Sequence, residues 1–211
     1  MNNFSPNMLK TFESCPLKYY YKYVQRVSVP QKASFFEKGK KVHALAHYYL
    51  RGDNISKLET ALTHEEKQVW ESLKNNTYFQ KNYVNSEYNL SCKIDGFWIG
   101  GRLDALMKDN NDYFILDYKT GSIPKNPEKD YQTMVYLLSA DKFLKEYNSL
   151  SFIYIDLKNN ENYTVQFDNS LKEVYENCIK DICERINSCS FDIEKEHSKK
   201  CDFCEYQKIC I

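Results

Sequence analysis

The sequence predicts an α/β fold in which helices flank a mixed sheet, and three observations support this prediction. Three strand-like segments follow one another with turn residues between them. An amphipathic helix comes next, and it leads into residues 150–157 (LSFIYIDL), an apolar run of strand length. An apolar strand that is reached through a helix is typical of a strand buried within a mixed sheet.

Three helices are predicted before the strands. The first begins at Ser5-Pro6, because serine is a good N-cap and proline is favoured at the first helical position. The second is predicted from apolar residues at helical spacing. The third begins after Thr63, and Glu66 lies three residues later in the register of a capping box. The predicted ranges are 5–24, 34–50 and 64–76.

The strands are predicted from β-forming residues between turn signals. Asp95-Gly96 and residues 110–112 (NND) separate the first three strands, which are expected to form an antiparallel meander. A helix, the buried strand, a short edge strand and a last helix follow before a cysteine-rich tail. The strands are expected at about 83–92, 96–107, 112–119, 150–157 and 162–167, and the helices at 129–147 and 170–188.

The composition suits one domain in a reducing compartment. The chain has 211 residues, 42% of them hydrophobic, and only 6 Gly and 5 Pro, which leaves no room for a long flexible linker. No apolar run approaches the roughly 20 residues that span a bilayer, and the N-terminus lacks the plan of a secretion signal. We therefore expect a cytoplasmic protein whose eight cysteines are not a disulfide framework.

The charge is balanced overall but uneven along the chain. The formal net charge is +0 at pH 7, which counts against the strongly basic class of nucleic-acid-binding domains. Residues 1–51, however, hold nine Lys or Arg against two acidic residues, Glu13 and Glu37. This segment could follow a phosphate backbone, and a solvated lysine-rich face is the alternative that charge alone leaves open.

Two carboxylates and a lysine form the most informative pattern in the chain. Asp104 closes the run Gly-Arg-Leu-Asp, and Asp117-Tyr118-Lys119 begins thirteen positions later at the end of a predicted strand. Since alternate residues of a strand share a face, Asp117 and Lys119 are expected to project together. A hairpin through residues 108–111 would bring Asp104 alongside Asp117.

This pattern suits the hydrolysis of a phosphodiester. Paired carboxylates bind a hard cation such as Mg²⁺ or Mn²⁺, which would polarise a phosphate and generate the attacking nucleophile. Lys119 would orient the water or offset the negative charge that grows in the transition state. The alternative is an ordinary surface ion pair, because an isolated Asp-x-Lys is common.

The run GRLDAL…FILDYKTG resembles the PD-(D/E)xK nuclease superfamily, and specifically its RecB-like branch. Two further motifs of that branch are matched in the correct order. Gly39 and His43 match its Gly-x-x-x-His helix, and Gln132 and Tyr136 match its Gln-x-x-x-Tyr helix. The resemblance covers nearly the whole chain and implies one restriction-endonuclease-like domain over residues 1–211, with a core at about 34–170.

The resemblance also implies roles for single residues. The expected metal ligands are His43, Asp104, Asp117 and the carbonyl of Tyr118. The expected catalytic residues are Asp104, Asp117, Lys119, Gln132 and Tyr136, the last two contacting the substrate or supporting the site. Glu87 lies where many relatives have a glutamate, and its role is left open. His47 forms a His-x-x-x-His pair with His43, but no third nitrogen or sulfur ligand is evident nearby.

Cysteines near the two ends form a second constellation. Cys201, Cys204 and Cys210 lie close together in the tail, and three thiolates need a fourth ligand. The phrase Phe-x-x-Cys-Pro-x-x-Tyr-Tyr around Cys15 resembles the iron–sulfur members of the branch, which include AddB nuclease domains and CRISPR-associated spacer-acquisition exonucleases. The resemblance implies a [4Fe–4S] cluster that joins the terminal segments 1–30 and 190–211.

Zinc at the cysteines is the alternative, because thiolates bind Zn²⁺ as readily. His197 could instead complete a Cys₃His zinc site. The remaining cysteines have no comparable spacing and are expected to be structural: Cys92, Cys178, Cys183 and Cys189.

The first helix interleaves aromatic and basic side chains. Tyrosines at 19, 20, 21 and 23 alternate with Lys18, Lys22 and Arg26. Such a surface can stack the bases of a single strand and hold its phosphates. The alternative is that the tyrosines pack the helix while the lysines extend to solvent.

The expected function is that of a metal-dependent DNA exonuclease acting on DNA ends or single strands, in recombinational repair or CRISPR spacer processing. No G-x-x-x-x-G-K-[ST] motif occurs, so unwinding would need a helicase partner, and spacer processing an integration partner. Rings around DNA occur among relatives, which leaves a homo-oligomer open. The alternatives are a non-catalytic DNA-end-binding or assembly module that keeps the fold, and a zinc-stapled scaffold without nucleic-acid function.

Overall fold

The computed structural model describes residues 3–29, 37–192 and 200–210, and its centre is a mixed sheet. The strands in these residues are β1 (Asn3–Phe4), β2 (Asn82–Ile94), β3 (Phe97–Asp109), β4 (Asp112–Lys119), β5 (Ser149–Asp156) and β6 (Glu161–Phe167). β2, β3 and β4 form the predicted antiparallel meander. β5 lies parallel to β4 and is covered on its other side by the antiparallel edge strand β6. The predicted mixed α/β fold is confirmed.

Helices cover both faces of this sheet. They are α1 (Pro6–Ser14), α2 (Pro16–Tyr19), α3 (Glu37–Leu50), α4 (Ser56–Thr60), α5 (His64–Lys74), α6 (Tyr131–Phe143), α7 (Asn169–Ser188) and α8 (Gln207–Cys210). A π-helical turn at Tyr20–Val24 extends α2, and 3₁₀ turns occur at Pro127–Lys129 and Cys201–Phe203. Among the described residues, no helix combines the length and the apolar character that crossing a membrane requires.

The sheet separates two hydrophobic cores. On one face, α1, α6 and α7 pack on the strands around large side chains such as Phe152, Tyr154 and Tyr175. On the other face, α3 and α5 pack around Trp70 and Leu73. Because helices cover both faces of the sheet, β5 is buried at nearly every position.

One side of β3 is shared between two strands. β1 runs parallel to β3 at Trp98 and Ile99, whereas β4 pairs with β3 from Ala105 onward. In the described part of the chain, residues 100–104 of β3 have no strand partner on this side. The sheet therefore opens into a fork at the point where the predicted carboxylates lie.

The helix boundaries follow local signals. Thr63 and Glu66 form the predicted capping box at the start of α5. Asp130 caps α6 by accepting a hydrogen bond from the backbone amide of Gln132, and Asp168 caps α7 in the same way through Leu171.

The structure corrects several predicted boundaries. The helix predicted at 5–24 is broken, because Pro16 forces Cys15 out of the helical conformation. The helix predicted at 129–147 ends at Phe143, where the next residue becomes extended. β1, α4 and α8 are too short to give a periodic pattern and were not predicted. Residues 34–36 of the predicted second helix lie outside the described residues.

The two ends of the described chain pack against each other. Lys18 of α2 forms a 2.7 Å ion pair with Glu205. The Tyr21 and Tyr206 rings stack with their centroids 5.8 Å apart, and the Tyr206 hydroxyl donates to the carbonyl of Val27. Protein contacts thus hold the terminal segments against each other, and the predicted cysteine-ligated cluster between them stays a prediction.

Candidate active site

The two carboxylates of the predicted centre lie where β3 and β4 separate. The pairing of these strands ends at Ala105 and Leu116, and the next residues into the fork are Asp104 and Asp117. The backbone amide of Tyr118 donates a 2.9 Å hydrogen bond to Asp104 Oδ2, which holds this carboxylate across the fork. The hairpin thus brings the two acidic residues together as predicted.

The side chains at the end of β4 alternate between the two faces of the sheet. Lys119 Nζ lies 5.7 Å from the centre of the Tyr154 ring, in the core beneath α6. The Tyr118 ring packs instead in the core beneath α3, with its centroid 5.4 Å from that of His43. Asp117 shares the face of Lys119, and the predicted alternation is confirmed.

α3 delivers His43 to the same fork. His43 Nδ1 lies 3.2 Å from Asp104 Oδ1, and its Nε2 lies 3.1 Å from the carbonyl oxygen of Tyr118. Gly39, one turn earlier, faces Thr120, whose hydroxyl oxygen would lie 3.3 Å from an added Cβ. A glycine at this position therefore lets the helix approach the end of β4 closely enough for the histidine to reach Asp104.

Gln132 connects Asp117 and Lys119. Its Nε2 donates a hydrogen bond to Asp117 Oδ1, and its Oε1 accepts one of 3.2 Å from Lys119 Nζ. Lys119 Nζ also lies 2.7 Å from Asp117 Oδ2. The three side chains form a closed set of polar contacts on the α6 side of the fork.

Tyr136 supports the backbone of β3. It is buried, and its hydroxyl donates a 2.9 Å hydrogen bond to the carbonyl of Arg102. A Cβ atom added at Gly101 would lie 2.9 Å from the same hydroxyl. Burial and the negative charges of Asp104 and Asp117 raise the pKa of Tyr136, so its hydroxyl remains a neutral donor.

Burial makes the negative charge on Asp117 unfavourable. The loss of hydration, added to the charge of Asp104, raises the pKa of Asp117 to about 6, although Lys119 opposes this shift. Asp117 Oδ2 has the Lys119 ammonium as an ion-pair partner but no hydrogen bond of good geometry. A buried carboxylate in this state is stabilised by an additional cation.

The same negative charges also raise the pKa of His43, because they favour its protonated form. Burial lowers its pKa, but the hydrogen bond and the negative charge of Asp104 outweigh burial, and the net shift of the pKa of His43 is upward. In the absence of a metal, a proton on the ring is therefore stabilised by the acidic residues.

One group of side chains in the described residues is arranged to hold a metal ion. His43, Glu87 and Asp104 each offer a ligand atom, and these atoms lie within 4.8 Å of one another. Asp117 is outside this group, because its carboxylate is directed to Lys119 and Gln132. The role of Asp117 and of the Tyr118 carbonyl as metal ligands stays a prediction.

The sequence analysis left the role of Glu87 open, whereas the structure places this residue in the site. On β2, Ser86 pairs with Ala105 and Tyr88 with Leu103, which places Glu87 opposite Asp104. Its backbone has a φ of 49°, a strained value for a glutamate and one that clusters at functional sites. The signal that could have identified this placement is the strand register, which depends on the hairpin turn at residues 95–96.

The four predicted cluster cysteines lie in the terminal segments that pack together. Cys15 is the N-cap of α2, where its sulfur accepts a hydrogen bond from the amide of Lys18. Within residues 3–29, 37–192 and 200–210, no three cysteines offer sulfur atoms within 4.8 Å of one another. The iron–sulfur cluster and the zinc alternative both stay predictions, and His197 lies outside the described residues.

The other cysteines occupy positions that suit structural residues. Cys92 and Cys183 are buried, and burial raises the pKa of Cys183 to about 12. Cys178 and Cys189 are partly buried and pack against the core between the sheet and α7.

The tyrosines of the first helices make ring contacts with other parts of the protein. Tyr19 is buried and stacks on Phe191, which also stacks on Tyr20. Tyr21 stacks on Tyr206 of the tail. These contacts favour packing over base stacking for this group.

Comparison with known proteins assigns the family. The model of the PD-(D/E)XK nuclease superfamily matches residues 3–211. The chain belongs to this superfamily. PD-(D/E)XK nucleases use divalent metal ions, which agrees with the donor group at the fork.

Two known proteins are similar to the chain over most of its length. It is 20% identical over 206 residues to the CRISPR-associated exonuclease Cas4 of Francisella tularensis subsp. novicida (strain U112), covering 97% of this chain and 91% of that protein. The fold is similar to the crystal structure of a Eubacterium rectale protein provisionally named as an exonuclease. That match has a TM-score of 0.55 at 11% identity and covers 96% of this chain and 92% of the other.

Proposed function

We propose that this PD-(D/E)XK protein is a metal-dependent deoxyribonuclease that degrades DNA from its ends or as single strands. The observation that carries the proposal is the fork itself. Two carboxylates, Asp104 and Asp117, meet there, and one of them is buried with a pKa raised to about 6. Lys119 supplies positive charge from one face of the sheet, and His43 supplies a ring nitrogen beside Asp104 from the other. An exonuclease among the relatives supports hydrolysis from DNA ends.

The donor set at the fork fits a hard divalent cation. His43, Glu87 and Asp104 would hold the ion, with Asp117 and the Tyr118 carbonyl as further oxygen donors. A group rich in oxygen with one imidazole suits Mg²⁺ or Mn²⁺, and the unsatisfied Asp117 Oδ2 would gain from a nearby cation. When bound, the ion would supply Lewis acidity and lower the pKa of a water molecule.

The remaining residues position charge around the scissile phosphate. Lys119 places its ammonium beside Asp117, where it can orient a water molecule or offset charge that develops on the phosphate. Gln132 fixes the relative orientation of Asp117 and Lys119 through two hydrogen bonds. Tyr136 fixes the β3 backbone next to Asp104 and acts as a positioning residue.

The second part of the proposal is a [4Fe–4S] cluster held by Cys15, Cys201, Cys204 and Cys210. Support comes from the packing of α2 on the tail, which brings the segments that carry these cysteines together. A cluster would add covalent links between these segments. Zinc held by the same thiolates is the competing outcome.

The setting is proposed to be recombinational repair or CRISPR spacer processing, in the cytoplasm, as a single domain. The Cas4 relative supports the CRISPR setting, with an integration partner, whereas a repair role would require a helicase partner. A homo-oligomer remains open for both.

The proposal is tested with end-labelled single- and double-stranded DNA, and with RNA of the same sequence, incubated with anaerobically purified protein and Mn²⁺. We expect the wild type to degrade DNA and Asp117→Ala to be inactive. Asp112→Ala is the matched control, since Asp112 lies at the other end of β4, where it accepts a hydrogen bond from Ser149. Absence of cleavage by a protein that holds its cluster would favour the non-catalytic DNA-end-binding or assembly module.

A further inference from the structure

Arg102 and Glu87 form an ion pair at the edge of the candidate metal site. Arg102 Nε lies 2.8 Å from Glu87 Oε2. The Arg102 side chain is 65% exposed, whereas that of Glu87 is only 23% exposed. Both line a cleft of about 570 Å³, together with Lys40, His43 and Asp104. The arginine is therefore the solvent-facing member of a pair whose other member points into the site.

The Glu87 carboxylate has two competing uses. It is the partner of Arg102, and it is also one of the three groups whose ligand atoms lie within 4.8 Å of one another. A guanidinium and a divalent cation repel each other when both are close to the same carboxylate. Binding of the ion at Glu87 therefore weakens the hold of Glu87 on Arg102.

The backbone on both sides of the pair is fixed, so the arginine side chain is the part that can move. The hydroxyl of Tyr136 holds the Arg102 carbonyl, and the φ of 49° at Glu87 sets the direction of that residue in the middle of β2. A long, exposed side chain on a fixed backbone can change partner without moving the strand that carries Asp104.

We propose that Arg102 binds the phosphodiester backbone of the substrate strand, and that metal binding at His43, Glu87 and Asp104 releases it from Glu87 for this purpose. This inference rests on the proposed nuclease function. A guanidinium suits the role because its planar donors match the oxygens of a phosphate group. Arg102 lies two residues from Asp104 on the same strand, which keeps the bound phosphates beside the carboxylates.

The exchange of partners couples metal binding to DNA binding. Arg102 competes with the ion for Glu87. In the metal-free protein Arg102 is therefore paired with Glu87 and is less available to bind DNA. Because linkage is reciprocal, DNA that engages Arg102 also raises the affinity of the site for the ion. Removal of Arg102 should therefore move the two affinities in opposite directions.

The first experiment compares wild type with Arg102→Ala and Arg102→Gln. Mn²⁺ affinity is measured by titration calorimetry without DNA. DNA affinity is measured by fluorescence anisotropy of a short labelled single strand with saturating Mn²⁺, in a Lys119→Ala background that prevents cleavage. For both variants we expect Mn²⁺ to bind about threefold to tenfold more tightly. DNA should bind about tenfold more weakly, with a salt dependence reduced by about one ion.

A second variant tests the other member of the pair. Glu87→Gln should weaken Mn²⁺ binding, but it should bind DNA more tightly than wild type when no metal is present, since Arg102 is no longer held. Arg185→Ala is the matched control, because Arg185 is a half-exposed arginine that pairs with Glu13 and Asp181 instead. It should change neither affinity.

Two results would overturn the inference. The first is an unchanged or lower Mn²⁺ affinity in the Arg102 variants. The second is an unchanged DNA affinity in the same variants. The nuclease assay is independent of both. Opposite shifts in a protein that cleaves no nucleic acid would support the coupling and refute the proposed nuclease activity.

Discussion

Tyr136 and Gly101 are in direct contact where α6 crosses β3. A Cβ atom at Gly101 would lie 2.9 Å from the Tyr136 hydroxyl oxygen and 3.0 Å from Cε1 of its ring. In the described residues no strand pairs with β3 between residues 100 and 104 on this side, and the tyrosine hydroxyl binds the Arg102 carbonyl there. The tyrosine thus takes the place of a neighbouring strand just before Asp104.

Gly101→Ala is expected to displace Tyr136 and disturb the carboxylate next to it. Tyr136 is only 6% exposed and has little space to move, so the variant should lose about 1–3 kcal/mol of unfolding free energy and much of its nuclease activity. Urea denaturation and the DNA degradation assay measure the two effects. Gly121→Ala is the control, since nothing lies within 4 Å of its added Cβ. Equal stability of the two variants would contradict the contact.

Asp117→Asn is expected to remove part of the pH dependence of the metal-free protein. The pKa of Asp117 is about 6 in the folded state and 3.8 as the reference for the unfolded chain, so only the folded state holds this proton between those values. The free energy of unfolding therefore falls as the pH rises through that window. The raised pKa of His43 acts in the same direction at somewhat higher pH.

The measurement is urea denaturation of metal-free wild type and Asp117→Asn across that window. The wild type should lose on the order of 1–3 kcal/mol more than the variant as the pH rises. Asp112→Asn, at the far end of β4, should retain the wild-type slope. If Asp117→Asn had the same slope as the wild type, the raised pKa of Asp117 would be refuted.

Gln132→Ala is expected to lower kcat about tenfold to a hundredfold while changing KM for DNA little. The glutamine donates a hydrogen bond to Asp117 and accepts one from Lys119, so its loss should misplace the two groups that are proposed to act on the phosphate. Steady-state kinetics on labelled DNA separates the two constants. Gln166→Ala, an exposed glutamine of β6, is the control. A change confined to KM would instead indicate that Gln132 contacts the substrate.

Loss of the proposed cluster should loosen the two ends while the sheet persists. An anaerobically purified Cys204→Ala protein is expected to lack bound iron and to melt on the order of 5–10 °C lower than wild type. Hydrogen exchange should quicken in residues 16–24 and 201–210 and change little in β3, β4 and β5. Cys178→Ala, a partly buried cysteine of α7, should keep its iron. An unchanged melting temperature in the iron-free variant would refute the proposal that the cluster holds the two ends together. Stoichiometric zinc in the wild type would show a zinc site in place of the iron–sulfur cluster.

The sequence predicted the sheet well because each of its main strands carries a local signal. Turn residues separate β2, β3 and β4, and the apolar run of β5 follows a helix with a clear cap. The alternation of Asp117 and Tyr118 between the two faces follows directly from strand geometry. The boundary at Cys15 was missed although Pro16 marks it, because the helical pattern on both sides was continuous.

The parts of the site that could not be predicted depend on contacts between distant segments. The placement of Glu87 opposite Asp104 follows from strand register. The contact of Gly101 with Tyr136, and that of Gly39 with Thr120, follow from how closely helices approach the sheet. Local sequence patterns can mark such residues as unusual, but they do not show which residues of distant segments lie close together in the fold.

The two hydrophobic cores have a consequence for how this enzyme class can change over time. His43 rests on the core beneath α3, whereas Lys119 and Gln132 rest on the core beneath α6. Substitutions that repack the core beneath α3 should mainly disturb the position of His43, and substitutions that repack the core beneath α6 should mainly disturb Lys119 and Gln132. The sheet thus separates the packing that supports His43 from the packing that supports Lys119 and Gln132, so a lineage could change one support in small steps while the other stays in place.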